Sequence, residues 1–331
     1  MIHSTLVERK SRFMHHHQQL IVEALTAVVP GGVVAGALPL PGRSLSWVEA
    51  GSGRPTVVLE AGAGATAIDW APVIGALAAQ THVVAYDRAG LGSSDRMPWL
   101  PTIDRQVDDL AAVIGRTGGG PSVIVGHSWG GLLVQALAFQ RPELVAGIVL
   151  VDPYHEELAT QLPGPLRALV RFANDNVILR VPPLLRALGL LEVVERRFAL
   201  HSAQQFIEDP GSQRAIVDAY VAGRVIQAGT GDARRDSRAM AASLPMLQQM
   251  RAKSSFPRVP LVVLSASGGF TGGLRQRWTM LQGRVAAAAG GKHIVVANSG
   301  HVIQRDRPDA VVEAIVGVVN QVREAGLVES G

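Results

Sequence analysis

The sequence predicts an α/β protein, a mostly parallel sheet flanked by helices and interrupted by an inserted helical cap. Three observations carry that prediction. From residue 44 to residue 325, short β-branched runs alternate with longer segments of helical apolar spacing. The rhythm breaks once: residues 152–260 hold no run of strand character, yet apolar residues recur there at helical intervals. Finally, Gly126-His127-Ser128-Trp129-Gly130 lies between the run Ser122-Val123-Ile124-Val125 and the helical segment that begins Gly131-Leu132-Leu133.

Taken in order, residues 1–43 read as an N-terminal extension. Arg9, Lys10 and Arg12 precede an apolar stretch over 24–42, the order found in export signals and anchors. Glu23 interrupts it and Pro30, Pro39 and Pro41 would break a helix, so no stable membrane span is expected. A cytoplasmic location is the expectation, with export or membrane association left open. The run His15-His16-His17 reads as a solvated helix end, not a metal site. Strands are expected over 46–50, 56–60, 82–86, 122–125, 148–151, 261–265 and 293–297. Helices fit at 68–79, 103–116, 129–141, 274–288 and 308–324, the last with Pro308 in its first turn and Asp306 available to cap it. A structureless loop spanning the strand-free region is implausible in a compact domain. Segments 165–173, 184–199 and 212–227 have amphipathic helical spacing instead. The expected organisation is therefore a core of 44–152 and 258–325, a helical cap over 153–257, and a tail over 326–331. The cap's leucine-rich faces need a partner, either the core or a hydrophobic ligand.

Composition removes several functions. At 47% apolar and 18% charged residues the chain is an ordinary globular protein. A formal charge of +4, with no basic block interleaved with aromatics, argues against nucleic-acid binding. With no cysteine, disulfides, thiolate chemistry and cysteine-bound metals are excluded. No histidine–carboxylate spacing of a zinc site appears, and no cofactor or metal is expected. Gly62-Ala63-Gly64 lacks the Lys-Ser/Thr ending of a phosphate loop.

A serine on a tight strand-to-helix turn is forced into a strained backbone conformation. Glycines two residues either side then keep neighbouring atoms from colliding. Its hydroxyl is lifted clear of the sheet to a helix N-terminus, where unpaired N–H groups favour negative charge.

Four stretches, in order, resemble the α/β-hydrolase family: Leu59-Glu60-Ala61-Gly62-Ala63-Gly64, Tyr86-Asp87-Arg88-Ala89-Gly90-Leu91-Gly92-Ser93-Ser94, the Ser128 pentapeptide, and Ser299-Gly300-His301. The resemblance runs from about residue 44 to the end of the last helix. It implies Ser128 as nucleophile and His301 as its base, since an unassisted hydroxyl is too weak to attack an ester. Many relatives carry the acid after the penultimate strand, but Leu264-Ser265-Ala266-Ser267-Gly268-Gly269-Phe270 holds no carboxylate. Asp152, after the strand that follows the Ser128 helix, takes that place. Glu156 and Glu157 are the reserves, and a Ser–His pair without an acid stays open. The backbone N–H groups of Ala63 and Trp129 are expected to form the oxyanion hole. Here Ala61 stands where many relatives have histidine. His127 reads as a residue that packs or supports the site from behind, Asp87 and Arg88 as ties between loops, and Tyr154 and His155 as candidate substrate contacts or as an ordinary hinge.

These features imply a cap-bearing serine hydrolase acting on an ester, lactone, thioester or amide of a small hydrophobic substrate. Acyl transfer, lactone formation or perhydrolysis by the same residues is the alternative, and a non-catalytic receptor a third reading. A serine nucleophile argues against the dehalogenases and epoxide hydrolases of this architecture, whose chemistry needs a carboxylate. No sequence feature points to an oligomeric state.

Overall fold

In the computed structural model, residues 16–96, 100–117, 120–160, 164, 181–230, 232–269 and 273–326 are described. The expected cap segment 165–173, Arg9, Lys10, Arg12, His15, Phe270 and residues 327–331 lie outside them.

Eight strands form one sheet: β1 (Val34–Leu40), β2 (Arg43–Ala50), β3 (Val57–Glu60), β4 (Val83–Tyr86), β5 (Ser122–His127), β6 (Val145–Val151), β7 (Leu261–Ala266) and β8 (Lys292–Val296). Their order is β1-β2-β4-β3-β5-β6-β7-β8. From β4 onward all pairings are parallel, while β2 runs antiparallel to both β1 and β4. Strands buried on both faces explain the unbroken valine and isoleucine runs. Val57, Leu59, Val123 and Val125 point into one core layer, whereas Val58 and Ile124 point into the other. The first layer packs on α1 (Ala71–Ala78) and α9 (Pro308–Glu324), the second on α2 (Ile103–Arg116) and α3 (Trp129–Gln140).

Two expectations are corrected at the N-terminal side. Residues 34–43, placed in an extension by the sequence, form β1 and open β2. Helical residues 16–26 precede them, with Ile21, Ala24 and Leu25 buried in the first core layer. The apolar stretch thus gives Ala24, Leu25 and Val29 to the core and β1 to the edge of the sheet. His17 is buried too, bonded to Ser93 Oγ (2.8 Å) and the Ala219 carbonyl (3.2 Å), instead of sitting on a solvated end. The helix expected over 68–79 divides into a 3₁₀ turn (Ala67–Trp70) and α1, with Pro72 in the first turn of α1. Asp306 does not cap α9; its carboxylate accepts the Gly300 N–H at 2.7 Å.

Between β6 and β7 the described chain is helical: α4 (Val181–Ala187), α5 (Leu191–Ala203), α6 (Pro210–Thr230) and α7 (Asp232–Lys253). The helix α8 (Gly273–Ala288) follows β7. Among the described residues no helix is long and apolar enough to cross a membrane, and no group of three or more His, Asp or Glu is placed to hold a metal ion.

Candidate active site

Parallel strands deliver their following loops to one edge of the sheet, the usual place for a ligand crevice. Here β3, β5 and β6 end at Glu60, His127 and Val151, and a loop after β8 leads to His301. Ser128 sits between β5 and α3 with φ 52° and ψ −115°, a backbone region that side chains rarely adopt. Its neighbours explain the glycines. A Cβ on Gly126 would stand 2.6 Å from the Gly130 carbonyl oxygen, and one on Gly130 only 2.4 Å from that of Glu60.

The Ser128 Oγ lies 3.0 Å from His301 Nε2, and His301 Nδ1 lies 2.7 Å from Asp152 Oδ2. The structure therefore brings together the three residues that the sequence singled out. The His301 side chain is 30% exposed whereas that of Asp152 is wholly buried, so only the imidazole reaches the site's solvent. Burial works to raise the Asp152 pKa, but hydrogen bonds from His301 and Arg275 outweigh it and hold the carboxyl at about 2. The sequence reading missed this support. Arg275 donates from Nη1 to Oδ2 and from Nη2 to Oδ1, both at 2.9 Å. Gln282 Nε2 donates to Oδ1 at 2.9 Å and the Ala266 N–H at 3.0 Å. Glu156 pairs with Arg251 at 2.5 Å and Glu157 with Arg284 at 3.1 Å, away from His301.

His127 supports the site from behind His301. Its Nε2 donates to the His301 carbonyl oxygen at 2.9 Å, and the two rings lie 4.8 Å apart. Burial, helped by the neighbouring His301, pushes its pKa down to about 3, which keeps it neutral. Gly62 is needed beside it, because a Cβ there would come within 2.9 Å of His127 Nδ1.

The loop after β3 is clamped from below by Arg88, which donates to Glu60 Oε1 (2.7 Å) and to the carbonyls of Ala61 (2.5 Å) and Gly62 (2.6 Å). The Tyr86 hydroxyl also donates to Glu60. From above, Asp236 on α7 accepts the Gly64 N–H at 2.8 Å and Arg88 Nη2 at 2.7 Å. Burial disfavours the Arg88 cation, but Asp236 and Glu60 outweigh it and keep it charged. Ala63 is left between two fixed neighbours in the wall of the cavity. Trp129 opens α3, where first-turn N–H groups have no intrahelical partner.

Ser128, His301 and Ala63 line a cavity of about 320 Å³. Its roof is one face of α6, with Tyr220, Gly223, Arg224 and Gln227 at helical spacing, and Asp69 and Gln304 complete the wall. Neither Tyr154 nor His155, expected to meet substrate, is among these lining residues. Tyr154 packs edge-on against Trp278 at 5.6 Å, and His155 is buried with its Nδ1 accepting the Glu157 N–H at 3.2 Å. The α6 residues were missed because nothing in sequence ties that helix to Ser128.

A family model described as the alpha/beta hydrolase family matches residues 57–314. The chain belongs to that family. This alpha/beta hydrolase is 37% identical over 102 residues to RutD of Azorhizobium caulinodans, a protein named as a carbamate hydrolase, covering 31% of this chain and 38% of the relative. The lipase LipV of Mycobacterium tuberculosis is 47% identical over 73 residues, 22% of this chain and 27% of its own. Both matches span well under half the length of those curated relatives. Among solved structures, epoxide hydrolase A of Mycobacterium thermoresistibile shares the fold, with a TM-score of 0.65 and 22% identity over 87% of this chain and 98% of that one.

Proposed function

We propose that this alpha/beta hydrolase is a serine hydrolase that cleaves a carboxylic ester, or a thioester, lactone or amide, through an acyl-enzyme on Ser128. The observation that carries the reading is the chain of contacts from Ser128 Oγ through His301 to Asp152, at 3.0 and 2.7 Å. In the first step Ser128 Oγ attacks the carbonyl carbon while His301 Nε2 takes its proton. The oxyanion forms against the N–H groups of Ala63 and Trp129, donors whose individual loss typically costs about 10²–10³ in rate. His301 then returns the proton to the departing alcohol or amine. Water attacks the acyl-enzyme with His301 again as base, releasing the acid and restoring the serine. Asp152, ionised and buried, holds the imidazole in the tautomer with Nδ1–H and stabilises its charged form.

A serine at position 128 supports acyl chemistry over epoxide opening, which proceeds through a carboxylate nucleophile in the epoxide hydrolases of this architecture. The names of RutD and LipV, a carbamate hydrolase and a lipase, agree with it. The test is hydrolysis of nitrophenyl esters by wild type and by Ser128→Ala, with covalent labelling of Ser128 by a fluorophosphonate. Turnover and labelling are expected in wild type and lost in the variant. A wild-type protein that neither turns over nor labels would overturn the reading.

A further inference from the structure

A second void, of about 140 Å³, adjoins the Ser128 cavity and shares Asp69, Tyr220 and Val302 with its wall. The two spaces differ in chemistry. Beyond the shared residues, the second is walled mainly by Ile68, Pro72, Phe198, Phe206 and Ile216, where the 3₁₀ turn and α1 face α5 and α6, with Ser202 and Arg305 at its edge and the Arg305 guanidinium stacked over Phe198. The main cavity has the more polar wall, which includes Arg224 and Gln304. Gln304 is buried, and its side-chain oxygen accepts no hydrogen bond among the described residues. A buried acceptor without a donor is a cost that a ligand N–H or O–H removes. Along the aromatic and aliphatic side of the annexe, water finds few of the two to four polar partners it needs.

We propose that the annexe receives an apolar arm of the substrate, about six carbons long, since a dry void of about 150 Å³ admits a benzene-sized group. The second arm, on the other side of the scissile carbonyl, is polar, carries a hydrogen-bond donor and lies in the main cavity beside Gln304 and Arg224. The substrate class is thus an amphiphilic ester or amide with one short alkyl arm and one polar arm. This rests on the serine-hydrolase reading for the chemistry but not for the binding.

Binding is therefore measured calorimetrically in Ser128→Ala, with hexyl acetate and ethyl hexanoate as probes against ethyl acetate. The pair also assigns the annexe to the alcohol or the acyl side. At about fourfold per buried methylene, one six-carbon probe is expected to bind on the order of 10²-fold tighter than ethyl acetate. Ser202→Trp, from the half-buried rim of the annexe, should erase that preference, and Phe206→Ala should move it to longer chains. Gln304→Leu should weaken hexanoyl glycolamide about tenfold and leave ethyl hexanoate unchanged. A chain-length preference untouched by both Ser202→Trp and Phe206→Ala, or no preference at all, would sink the annexe. Equal loss for both hexanoyl probes in Gln304→Leu would sink the polar arm. Binding as expected with no turnover by wild type would overturn the serine chemistry alone.

Discussion

Asp152 and the Gly62–Gly64 loop flank Ser128, and they are held by different parts of the chain. The described partners of Asp152 come from the sheet region: Arg275 and Gln282 on α8, Ala266 at the end of β7, and His301. The loop is gripped by Arg88 from the sheet side, but Gly64 hands its N–H to Asp236 on α7, between β6 and β7. On the proposed chemistry, the half that would supply the base is fixed by the sheet and its own helix. The half that would hold the oxyanion depends on α7 staying docked. A disturbance of the inserted helices should therefore impair stabilisation of the oxyanion while leaving proton transfer intact.

The largest expected effect breaks the base half outright. Asp152→Asn should lower kcat about 10⁴-fold, the cost of losing the correct tautomer in such triads, with little change in KM. Next comes the support behind it. Arg275→Leu leaves a buried carboxylate short of its cation, and urea unfolding should read a loss of about 3–5 kcal/mol.

The same residue sets an acid limit. A folded Asp152 pKa of about 2, against roughly 3.9 unfolded, contributes about 2–3 kcal/mol above pH 4 that disappears as the pH falls towards 2. In Arg275→Leu the folded pKa should rise towards the unfolded one, so that this acid loss shrinks and is complete at a higher pH. On the other half, Asp236→Ala should cost about tenfold in kcat through a loosened loop. Its pH–rate profile should coincide with wild type, and a displaced acid limb would show that α7 also governs the base. The last effect is on stability alone and concerns His127. Its folded pKa, about 3, lies below the roughly 6.5 of an unfolded histidine, so the unfolded state binds more protons between those values. Stability should decline as pH drops through that window, and His127→Gln should flatten the decline.

The alternation of strands and helices was legible because both sheet faces are buried and every parallel strand advertises itself as a β-branched run. Ser128, His301 and Asp152 could be picked because each follows a strand end, and order along the chain substitutes for proximity. β1 was missed for physical reasons. It is an edge strand broken by Gly36 and Pro39, with Val34 exposed, and it runs on from the apolar residues before it, so it lacks the bounded β-branched run of its neighbours. Arg275 and Asp236 were invisible for another reason. They meet Asp152 and Arg88 across 123 and 148 residues respectively, and an isolated arginine or aspartate on a helix looks the same whether it faces solvent or a buried partner. Tyr154 and His155 misled because nearness in sequence to Asp152 stood in for nearness to the cavity.

Among the described residues, three that are not glycine, Ser128, Asp152 and Asn298, hold φ values of 52°, 40° and 56°, all in loops leaving the strands at the site's edge of the sheet. Such conformations cost of order 1–3 kcal/mol each. Glycine would relax position 128, and its greater freedom in the unfolded chain would return only about 0.5–1 kcal/mol of that gain. Ser128→Gly should therefore melt above the wild type while being inert. On the proposed chemistry, selection for activity has left the protein less robust than its own backbone would allow, and part of the shortfall lies at Ser128 and Asp152.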